Sequence, residues 1–486
     1  MRGIGSDDVL KRLAFDNPWW ELKPDTEIRF RHPPKRFCYA SFAAEVHKRL
    51  TRQALVLVGP RRAGKTVMMR QMVAELIEGG LRPTAVLFAA LTTPSYTATG
   101  LKPLFETFRK HHGHRPGERL YVFLDEAQYV GGWEEQVKAL AHEYPQTRFI
   151  TAVSAGGPGL VTGDQSDDGK LVVQAVPPLT FMEFLRFRGS EEKLFGTGTK
   201  PVFKERAIGA LNAEFARYIN FGSFPEGILL KNEAAPAPTF IRDHLTDRVL
   251  HKDMAGLFGV ASIHDVNRLF AVLVANTSAE VSIEELARES GIAKNTLRKY
   301  MEYLESAFLV RRVMRIDRDG KPYQRAVSFK AALTAPCFQS ALFGPAGVDD
   351  EGFERLVETA ITAQWLAAPA ARDLAYAGWR GGGVDLVALD PTTAKPDLVI
   401  EMDWQDTYAR APKGPENLAQ FALGTNPKAK AVILTRTLAR PGTIKGIDVQ
   451  LLPASLYAYF LVRDRIDRRE AAITDKGGRK GPKKAA

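Results

Sequence analysis

One segment of the chain, residues 54–69 (ALVLVGPRRAGKTVMM), constrains the fold more than any other. Residues 59–66 fit G-x-x-x-x-G-K-[ST], the pattern of a phosphate-binding loop. An apolar run of strand length, residues 54–58, precedes the loop, and apolar residues at helical spacing follow it over residues 67–77. A strand, a phosphate loop and a helix in this order predict a nucleotide site in an α/β domain.

The residue types of the loop match the needs of phosphate binding. Glycines let the backbone wrap closely around phosphate oxygens, while successive N–H groups and the helix N-terminus present positive potential. Lys65 is expected to reach the β- and γ-phosphates of ATP, and the Thr66 hydroxyl is expected to ligate Mg²⁺. The flanking pattern disfavours the alternative, a glycine-rich turn with an accidental Lys-Thr pair. The predicted cofactor-binding residues are Gly59, Pro60, Arg61, Arg62, Ala63, Gly64, Lys65 and Thr66.

A second candidate strand, residues 120–124, ends in an acidic pair, Asp125 and Glu126. An acidic residue at the carboxyl end of a parallel strand lies at the crevice where such sheets bind ligands. Asp125 is therefore predicted to hold Mg²⁺, and Glu126 is predicted to polarise the attacking water as general base. The alternative, that these carboxylates only mark a helix start, is disfavoured by the upstream phosphate loop.

A further strand is predicted over residues 147–154, and its last residue is Ser154. A hydroxyl at that point can contact the γ-phosphate or the attacking water and so sense the bound nucleotide. The alternative is a simple strand cap, a common role of serine. The predicted catalytic residues are therefore Glu126, Lys65 and Ser154.

The composition is that of a globular protein. The 486 residues, 45% hydrophobic and 25% charged, predict about three domains and no membrane span. The two cysteines, Cys38 and Cys337, form neither a disulfide framework nor a zinc pattern, which predicts a cytoplasmic protein. The net charge of +11 favours a polyanionic partner. Part of this charge lies in a basic tail from residue 463, which is predicted to be disordered and to serve as a solubilising end or a nucleic-acid-binding arm.

Together with Trp133 and the run PPLTFMEFL at residues 177–185, these motifs resemble the AAA+ ATPases of the AAA_14/DUF4143 family. The resemblance implies a parallel P-loop sheet with a helical lid, and self-association into a ring or helical oligomer such as a hexamer. The strand ending at Ser154 departs from the family, because the family's T-G-S-S is replaced by TAVSAG. The domains predicted for this half of the chain are an N-terminal segment over 1–45, an AAA+ core over 46–200 and a lid over 201–260.

Within the predicted lid, residues 222–226 (GSFPE) resemble the Gly-x-Pro turn of AAA+ lid domains. Arg242 and Arg248, on a following helix, are candidates for a nucleotide-contacting arginine. Surface arginines on helices are mostly solvated, so the sequence leaves this assignment open.

A winged helix-turn-helix is predicted over residues 261–335. One helix ends at Gly291, the next begins near Lys294, and two strands about a turn at Asp319 and Gly320 form the wing. Packing without DNA contact is the alternative. The predicted nucleic-acid contacts are Lys294, Asn295, Thr296, Arg298 and Lys299 on the helix, and Arg311, Arg312, Arg315, Arg318, Lys321 and Arg325 on the wing.

The last module, residues 345–462, resembles the restriction-endonuclease-like fold, which makes the whole chain α/β in class. The resemblance implies Mg²⁺-binding carboxylates at Glu358, Asp385 and Glu401, and a lysine two residues later that activates water. Asp403 stands at that lysine position, so we expect the fold to be retained and cleavage to be lost, with Glu358, Asp385, Glu401 and Asp403 as a vestigial nuclease site. Lys395 and Lys413 remain as candidate replacements for the missing lysine.

The leading functional prediction is an ATP-hydrolysing, DNA-binding oligomer that remodels or translocates on DNA, with branched and single-stranded DNA as candidates. ATP and Mg²⁺ are the predicted cofactors. One alternative is a nucleotide-switched signalling or scaffold ATPase that binds a protein, and another is an ATP-dependent, Mg²⁺-dependent nuclease. The preferred DNA structure, the ring size, the direction of movement and the pathway are left open by the sequence.

Overall fold

A computed structural model of the chain describes residues 5–21, 34–48, 52–155, 169–197, 203–229, 260, 262–323, 328–367, 373–409 and 415–463. The chain divides into two compact units. The first comprises Met1–Pro177, Asp253–Gly259 and Glu305–Phe308, and the second comprises the remainder. The division at residue 177 differs from the predicted end of the AAA+ core at residue 200, because the helices after Pro178 pack with the second unit.

A parallel sheet of five strands forms the centre of the first unit, in the order β2-β3-β4-β1-β5. Every residue of β1, β3 and β4 is buried, because helices cover both faces of the sheet. The strands are β1 (Ala54–Val58), β2 (Val86–Ala90), β3 (Leu120–Asp125), β4 (Thr147–Val153) and β5 (Leu171–Ala175).

Two helical layers cover this sheet. Alternate strand residues face opposite layers, so that Val56 packs with the layer of α1, α5 and α6 while Leu57 packs with the layer of α2 and α3. The helices are α1 (Ser6–Asp16), α2 (Tyr39–His47), α3 (Lys65–Glu78), α4 (Pro94–Thr99), α5 (Leu101–His112) and α6 (Trp133–Glu143).

Adjacent tryptophans near the N-terminus pack against the same sheet. The indole N–H groups of Trp19 and Trp20 both donate to the Val86 carbonyl, at 3.3 and 2.8 Å. The Trp20 ring stacks on Phe108, with ring centroids 5.6 Å apart. Both residues therefore act in packing.

The second unit contains a sheet of nine strands, in the order β13-β14-β12-β11-β10-β9-β7-β8-β6. β10 is antiparallel to its two neighbours, β9 and β11, whereas β12 runs parallel to both β11 and β14. The strands are β6 (Glu280–Ser282), β7 (Val310–Ile316), β8 (Ser328–Leu333), β9 (Asp373–Trp379), β10 (Gly382–Leu389), β11 (Pro396–Asp403), β12 (Lys430–Thr435), β13 (Arg440–Ile444) and β14 (Ile447–Pro453).

Helices of the second unit begin and end at residues that explain their limits. Thr180 and Glu183 of the PPLTFMEFL run form a capping box, and so do Ser282 and Glu285, while Gly291 ends a helix in the left-handed conformation. The helices are α7 (Phe181–Phe187), α8 (Glu191–Phe195), α9 (Ile208–Phe221), α10 (Pro225–Leu229), α11 (Ile263–Ala275), α12 (Ile283–Ser290), α13 (Lys294–Ser306), α14 (Phe338–Phe343), α15 (Phe353–Ala367) and α16 (Glu416–Thr425), and residues 454–463 are also helical.

The strands predicted as a wing, β7 and β8, lie inside the nine-stranded sheet. β7 pairs with β8 on one side and, in parallel, with β9 on the other, so that its backbone is hydrogen-bonded along both edges. The predicted domains 261–335 and 345–462 therefore share one sheet, which differs from the expectation of a separate winged module. Across the described ranges, no helix has the length and apolar character that a membrane crossing needs.

Candidate active site

The phosphate loop leaves the buried strand β1 and enters α3, and two of its glycines are required by geometry. A Cβ on Gly59 would lie 2.0 Å from the Val176 carbonyl oxygen, because the chain after β5 crosses the loop there. Gly64 caps α3 at φ 98°, in the left-handed region that L side chains rarely adopt. The loop backbone can thus come close to a phosphate, with the N-terminus of α3 behind it.

Lys65 is the first residue of α3, and its ammonium group lies under the loop. Its Nζ donates to the carbonyl oxygens of Gly59 and Pro60, at 2.8 Å each. Burial lowers the pKa of Lys65 to about 8, although Glu126 and Asp125 partly oppose the shift. The Lys65 side chain is therefore mostly protonated at neutral pH, and its hydrogen-bond acceptors are carbonyl groups of the loop itself.

Asp125, at the end of β3, meets the loop through Thr66. The Thr66 hydroxyl donates to Asp125 Oδ2 at 2.7 Å, whereas the buried Oδ1 has no hydrogen-bond partner among the described residues. Burial and the neighbouring Glu126 raise the pKa of Asp125 to about 6. A hydroxyl oxygen beside a carboxylate with one unsatisfied oxygen is a donor set that fits Mg²⁺, which takes few protein ligands when phosphates supply the others.

Glu126 follows Asp125 and adopts a left-handed backbone conformation, with φ 58° and ψ 46°. Its carboxylate is held on both oxygens. The Ser154 hydroxyl donates to Oε1 at 2.8 Å, and the Gln128 side-chain amide donates to Oε2. Arg61 of the loop lies 3.8 Å from Oε2. A non-glycine residue with positive φ, fixed by three partners, is the kind of constrained residue found at functional sites.

The two adjacent carboxylates are driven apart in pKa by their surroundings. Burial alone would raise the pKa of Glu126, but the positive charges of Lys65 and Arg61 outweigh it and lower the pKa. Asp125 moves in the opposite direction. Near neutral pH the Glu126 carboxylate is therefore ionised and can accept a proton or orient a water molecule.

Two residues that the sequence patterns did not indicate complete this site. Gln128 bridges Glu126 and Ser154, since its side-chain oxygen accepts from the Ser154 backbone N–H at 3.3 Å. Arg36 is buried and donates to the carbonyl oxygens of Ala63 and Pro177, which fixes the phosphate loop from below. Gln128 lies in the FLDEAQ run, two residues after Glu126. This proximity is the sequence signal that could have indicated its role. No local pattern indicates Arg36.

The predicted DNA-contacting residues differ in their freedom to reach a ligand. Lys294, Asn295, Arg298 and Lys299 on α13 are exposed and Thr296 is half-buried; Lys294 pairs with Glu284 at 2.9 Å, and Arg298 donates to Asn295. On the predicted wing, Arg312, Arg318 and Lys321 are exposed, and Arg311 is half-buried.

Arg315 departs from the prediction, because its guanidinium is already engaged within the sheet. It donates to the Gly378 carbonyl through Nε at 3.1 Å and Nη2 at 2.8 Å, and to Glu280 at 2.9 Å. This residue joins β7 to β9 and β6, so we assign it to the sheet instead of to a phosphate contact.

Of the four predicted nuclease-site residues, Glu358, Asp385 and Glu401 lie together, whereas Asp403 has a different role. The Asp403 carboxylate accepts hydrogen bonds from Thr407 N at 2.7 Å and Tyr408 N at 3.0 Å. It therefore caps the turn after β11 and does not stand in for a catalytic lysine.

The turn at residues 222–226 lies in the second unit and is closely packed. A Cβ on Gly222 would lie 2.6 Å from both the Phe184 and Tyr218 rings, and the Ser223 carbonyl accepts from Leu179 N at 2.8 Å. These contacts explain the glycine by packing. Arg242, Arg248, Arg325, Lys413, the residues 156–168 and the tail from residue 464 fall outside the described residues.

Family comparisons agree with the geometry of the first unit. Residues 51–185 match the family model of an AAA domain. The phosphate loop, the acidic strand end and this match support an AAA-type P-loop ATPase domain in this part of the chain. Residues 212–344 match a domain of unknown function, DUF8612. The predicted DUF4143 assignment is not confirmed.

An uncharacterized protein of Haemophilus influenzae is 25% identical over 275 residues, which are 55% of this chain and 64% of the relative. The match thus spans less than two thirds of the relative's length.

Three solved structures are similar over part of the chain. PCH-2 of C. elegans has a TM-score of 0.26 and 12% identity, over 42% of this chain and 62% of that chain. AMPPCP-bound DnaA from Aquifex aeolicus has a TM-score of 0.27 and 13% identity, over 55% and 85%. The replication initiator DnaA bound to AMPPCP and single-stranded DNA has a TM-score of 0.26 and 15% identity, over 55% and 86%.

Proposed function

We propose that this protein hydrolyses ATP at the site of the first unit and uses the cycle to remodel or move along DNA as an oligomer. One observation carries the hydrolytic part of the proposal. Glu126 is ionised and is held by Ser154 and Gln128 beside Lys65 and the Thr66–Asp125 pair. A binding site that only held a nucleotide would not need a buried, oriented base.

The roles of the chain's own groups follow from their positions. Lys65 exchanges its loop carbonyl partners for the β- and γ-phosphate oxygens, and the loop N–H groups donate to the same phosphates. Thr66 and Asp125 would hold Mg²⁺, which neutralises developing charge on the phosphates. Glu126 orients the water and takes its proton, while Ser154 and Gln128 keep the carboxylate in place.

DNA as partner is supported by charge and by α13. The chain carries 67 basic and 56 acidic residues. Lys299 and Arg298 are exposed on α13, which follows α12 across a turn that begins at Gly291. A helix that follows a short turn and presents cations can enter a major groove while its neighbours contact phosphates. Oligomer formation rests on the family resemblance.

Glu126 provides the direct test. Changing Glu126→Gln keeps the shape of the side chain and removes the base, so we expect ATP binding to persist while turnover falls by about 10²- to 10⁴-fold. Lys65→Ala should remove nucleotide binding itself. Both are measured by phosphate release and by titration with a fluorescent ATP analogue.

The matched control is Glu143→Gln, an exposed glutamate of the same unit that pairs with Lys102 at 2.8 Å. It should leave both quantities unchanged. Normal turnover in Glu126→Gln would remove the assignment of the base.

A further inference from the structure

A buried lysine lies among the three clustered carboxylates of the second unit. Lys330, on β8, places its Nζ 2.7 Å from Glu358 Oε1, 3.2 Å from the Asp385 carbonyl oxygen and 3.7 Å from Asp385 Oδ1. The same ammonium lies 5.3 Å from the centre of the Tyr376 ring. Lys330 and Glu358 are only 9% and 7% exposed.

This ammonium is stabilised by its partners and not by solvent. Burial alone would lower the pKa of Lys330, but the charges of Glu358 and Asp385 outweigh it and raise the pKa. An ion this deep in a protein is tolerated when it is paired and hydrogen-bonded. Lys330 is therefore a charged member of the cluster near neutral pH.

The three carboxylates, in contrast, can carry more negative charge than the single ammonium of Lys330 can balance. Burial raises the pKa of Glu358 to about 7 and, together with Asp385, raises that of Glu401 well above its usual value. Oε2 of Glu401 is buried without a hydrogen-bond partner among the described residues. The cluster thus relieves its excess negative charge by protonation around one internal cation.

The origin of this cation differs from that expected in a nuclease-like site. The nuclease-like pattern predicts a lysine two residues after Glu401, where Asp403 caps a turn instead. Lys330 comes from β8, a strand of the predicted wing that the nine-stranded sheet places beside the carboxylates. The cation and the carboxylates therefore meet only because the two predicted domains share a sheet.

We propose that Lys330 is the resident cation of the Glu358–Asp385–Glu401 cluster and closes it to divalent metal ions. A metal ion would have to displace the ammonium or approach it within a few ångströms, where repulsion in a low-dielectric site is strong. Among the residues with a described placement, no three His, Cys, Asp or Glu side chains are arranged to hold a metal ion. Lys330 and the three carboxylates all lie in the second unit, so their arrangement does not depend on ATP hydrolysis.

Manganese binding by the nucleotide-free, full-length protein tests the proposal. Wild type, Glu401→Gln and Asp385→Asn should bind the same number of Mn²⁺ ions by electron paramagnetic resonance, because none of them exposes a metal site in the second unit. All three proteins keep the same first unit, so any Mn²⁺ bound there contributes equally to the three counts. One more Mn²⁺ in wild type than in Glu401→Gln would overturn the proposal, as would Mn²⁺-dependent DNA cleavage that Glu401→Gln abolishes.

Stability against pH gives a second, independent arm. The raised pKa of Glu358 means that its contribution to stability is present at low pH and is lost as pH rises through about 7. In Lys330→Met the ionised carboxylate has no cation, so this loss should be larger. The melting temperature of Lys330→Met should therefore fall below that of wild type by more at pH 8 than at pH 6.

The double variant Lys330→Met/Glu358→Gln removes the partner charge and should recover most of the loss at pH 8. Lys445→Met is the matched control, because Lys445 forms an exposed pair with Glu416 at 2.7 Å, and it should change little at either pH. A loss in Lys330→Met that is independent of pH and is not relieved by Glu358→Gln would overturn the proposal. If Lys330→Met does not fold, the comparison of Mn²⁺ binding is the test of the proposal.

Discussion

Gln128 shows how a residue without chemistry of its own can set the chemistry of its neighbour. Its amide donates to Glu126 and its oxygen accepts from Ser154, so it ties the end of β3 to the end of β4. A hydrogen bond to an ionised carboxylate stabilises the charged form. Gln128 therefore orients Glu126 and also lowers its pKa.

We expect Gln128→Ala to lower kcat about 10- to 100-fold with little change in KM, since a hydrogen bond to a charged group contributes about 1.5–3 kcal/mol. Loss of the donor raises the pKa of Glu126, so the acidic limb of the kcat/KM profile should move to higher pH. Gln136→Ala serves as control, because Gln136 accepts from Leu101 N and lies outside the site. An unshifted acidic limb in Gln128→Ala would assign Gln128 to packing.

At this scale the sequence indicates those residues whose neighbours in the chain are also their neighbours in space. Lys65 and Thr66 belong to the phosphate-loop pattern, and Asp125 and Glu126 form the acidic pair at the end of β3. Nucleotide binding requires the spacing of the residues in such short patterns. Arg36 and Lys330 act on atoms far along the chain, at separations of 27 residues to Ala63 and 28 residues to Glu358. No local pattern records such a contact, so only the folded chain assigns them.

The elements β7 and α13 both carry basic residues that look alike in the sequence but have different surroundings in the structure. Arg315 on β7 is bound to the sheet, whereas Lys299 on α13 is exposed. A charged side chain that satisfies its hydrogen bonds internally has little left to offer a phosphate. The number of basic residues in a segment therefore overestimates the number that can contact DNA.

We expect Lys299→Ala to weaken DNA binding and to reduce the slope of log K against log salt by about one, as the loss of a single phosphate contact should. Arg315→Ala should leave the DNA affinity unchanged and lower the melting temperature, because it releases the Gly378 and Glu280 contacts. Fluorescence anisotropy over a salt series and thermal unfolding measure the two effects. Equal losses of affinity in both variants would contradict this division.

Strand positions are predictable here because apolar runs have strand length, as Ala54–Val58 shows. Sheet membership is not predictable in the same way. The run that forms β7 reads equally well as a free wing, and its pairing with β9 depends on a segment that begins at Asp373. Pairing at this distance along the chain leaves no trace in local periodicity.

The whole molecule consists of two compact units with separate hydrophobic cores. Units that bury their own cores commonly unfold as separate cooperative steps. A ligand that binds one of them stabilises that one alone.

We therefore expect two thermal transitions in the full-length protein. ATP with Mg²⁺ at 100 times its Kd should stabilise one of them by about 2.7 kcal/mol, and Lys65→Ala should remove this shift. Lys330→Met should lower the other transition. Differential scanning calorimetry makes the measurement, and a single transition that responds to both changes would contradict the assignment of two independent units.

The shared sheet also bears on how the chain folds while it is being made. β7 ends at Ile316, but its partner β9 begins only at Asp373, and Glu401 follows later still. At about 5–20 residues per second, the segment that contains α12, α13 and β7 would wait several seconds on the ribosome with an open strand edge. Asp385 and Glu401 are synthesised only after β9 begins, so Lys330 lacks these two carboxylates during the wait and can remain hydrated. The lysine that later enters the acidic cluster thus stays a hydrated charge on the unfinished sheet until Asp385 and Glu401 are synthesised.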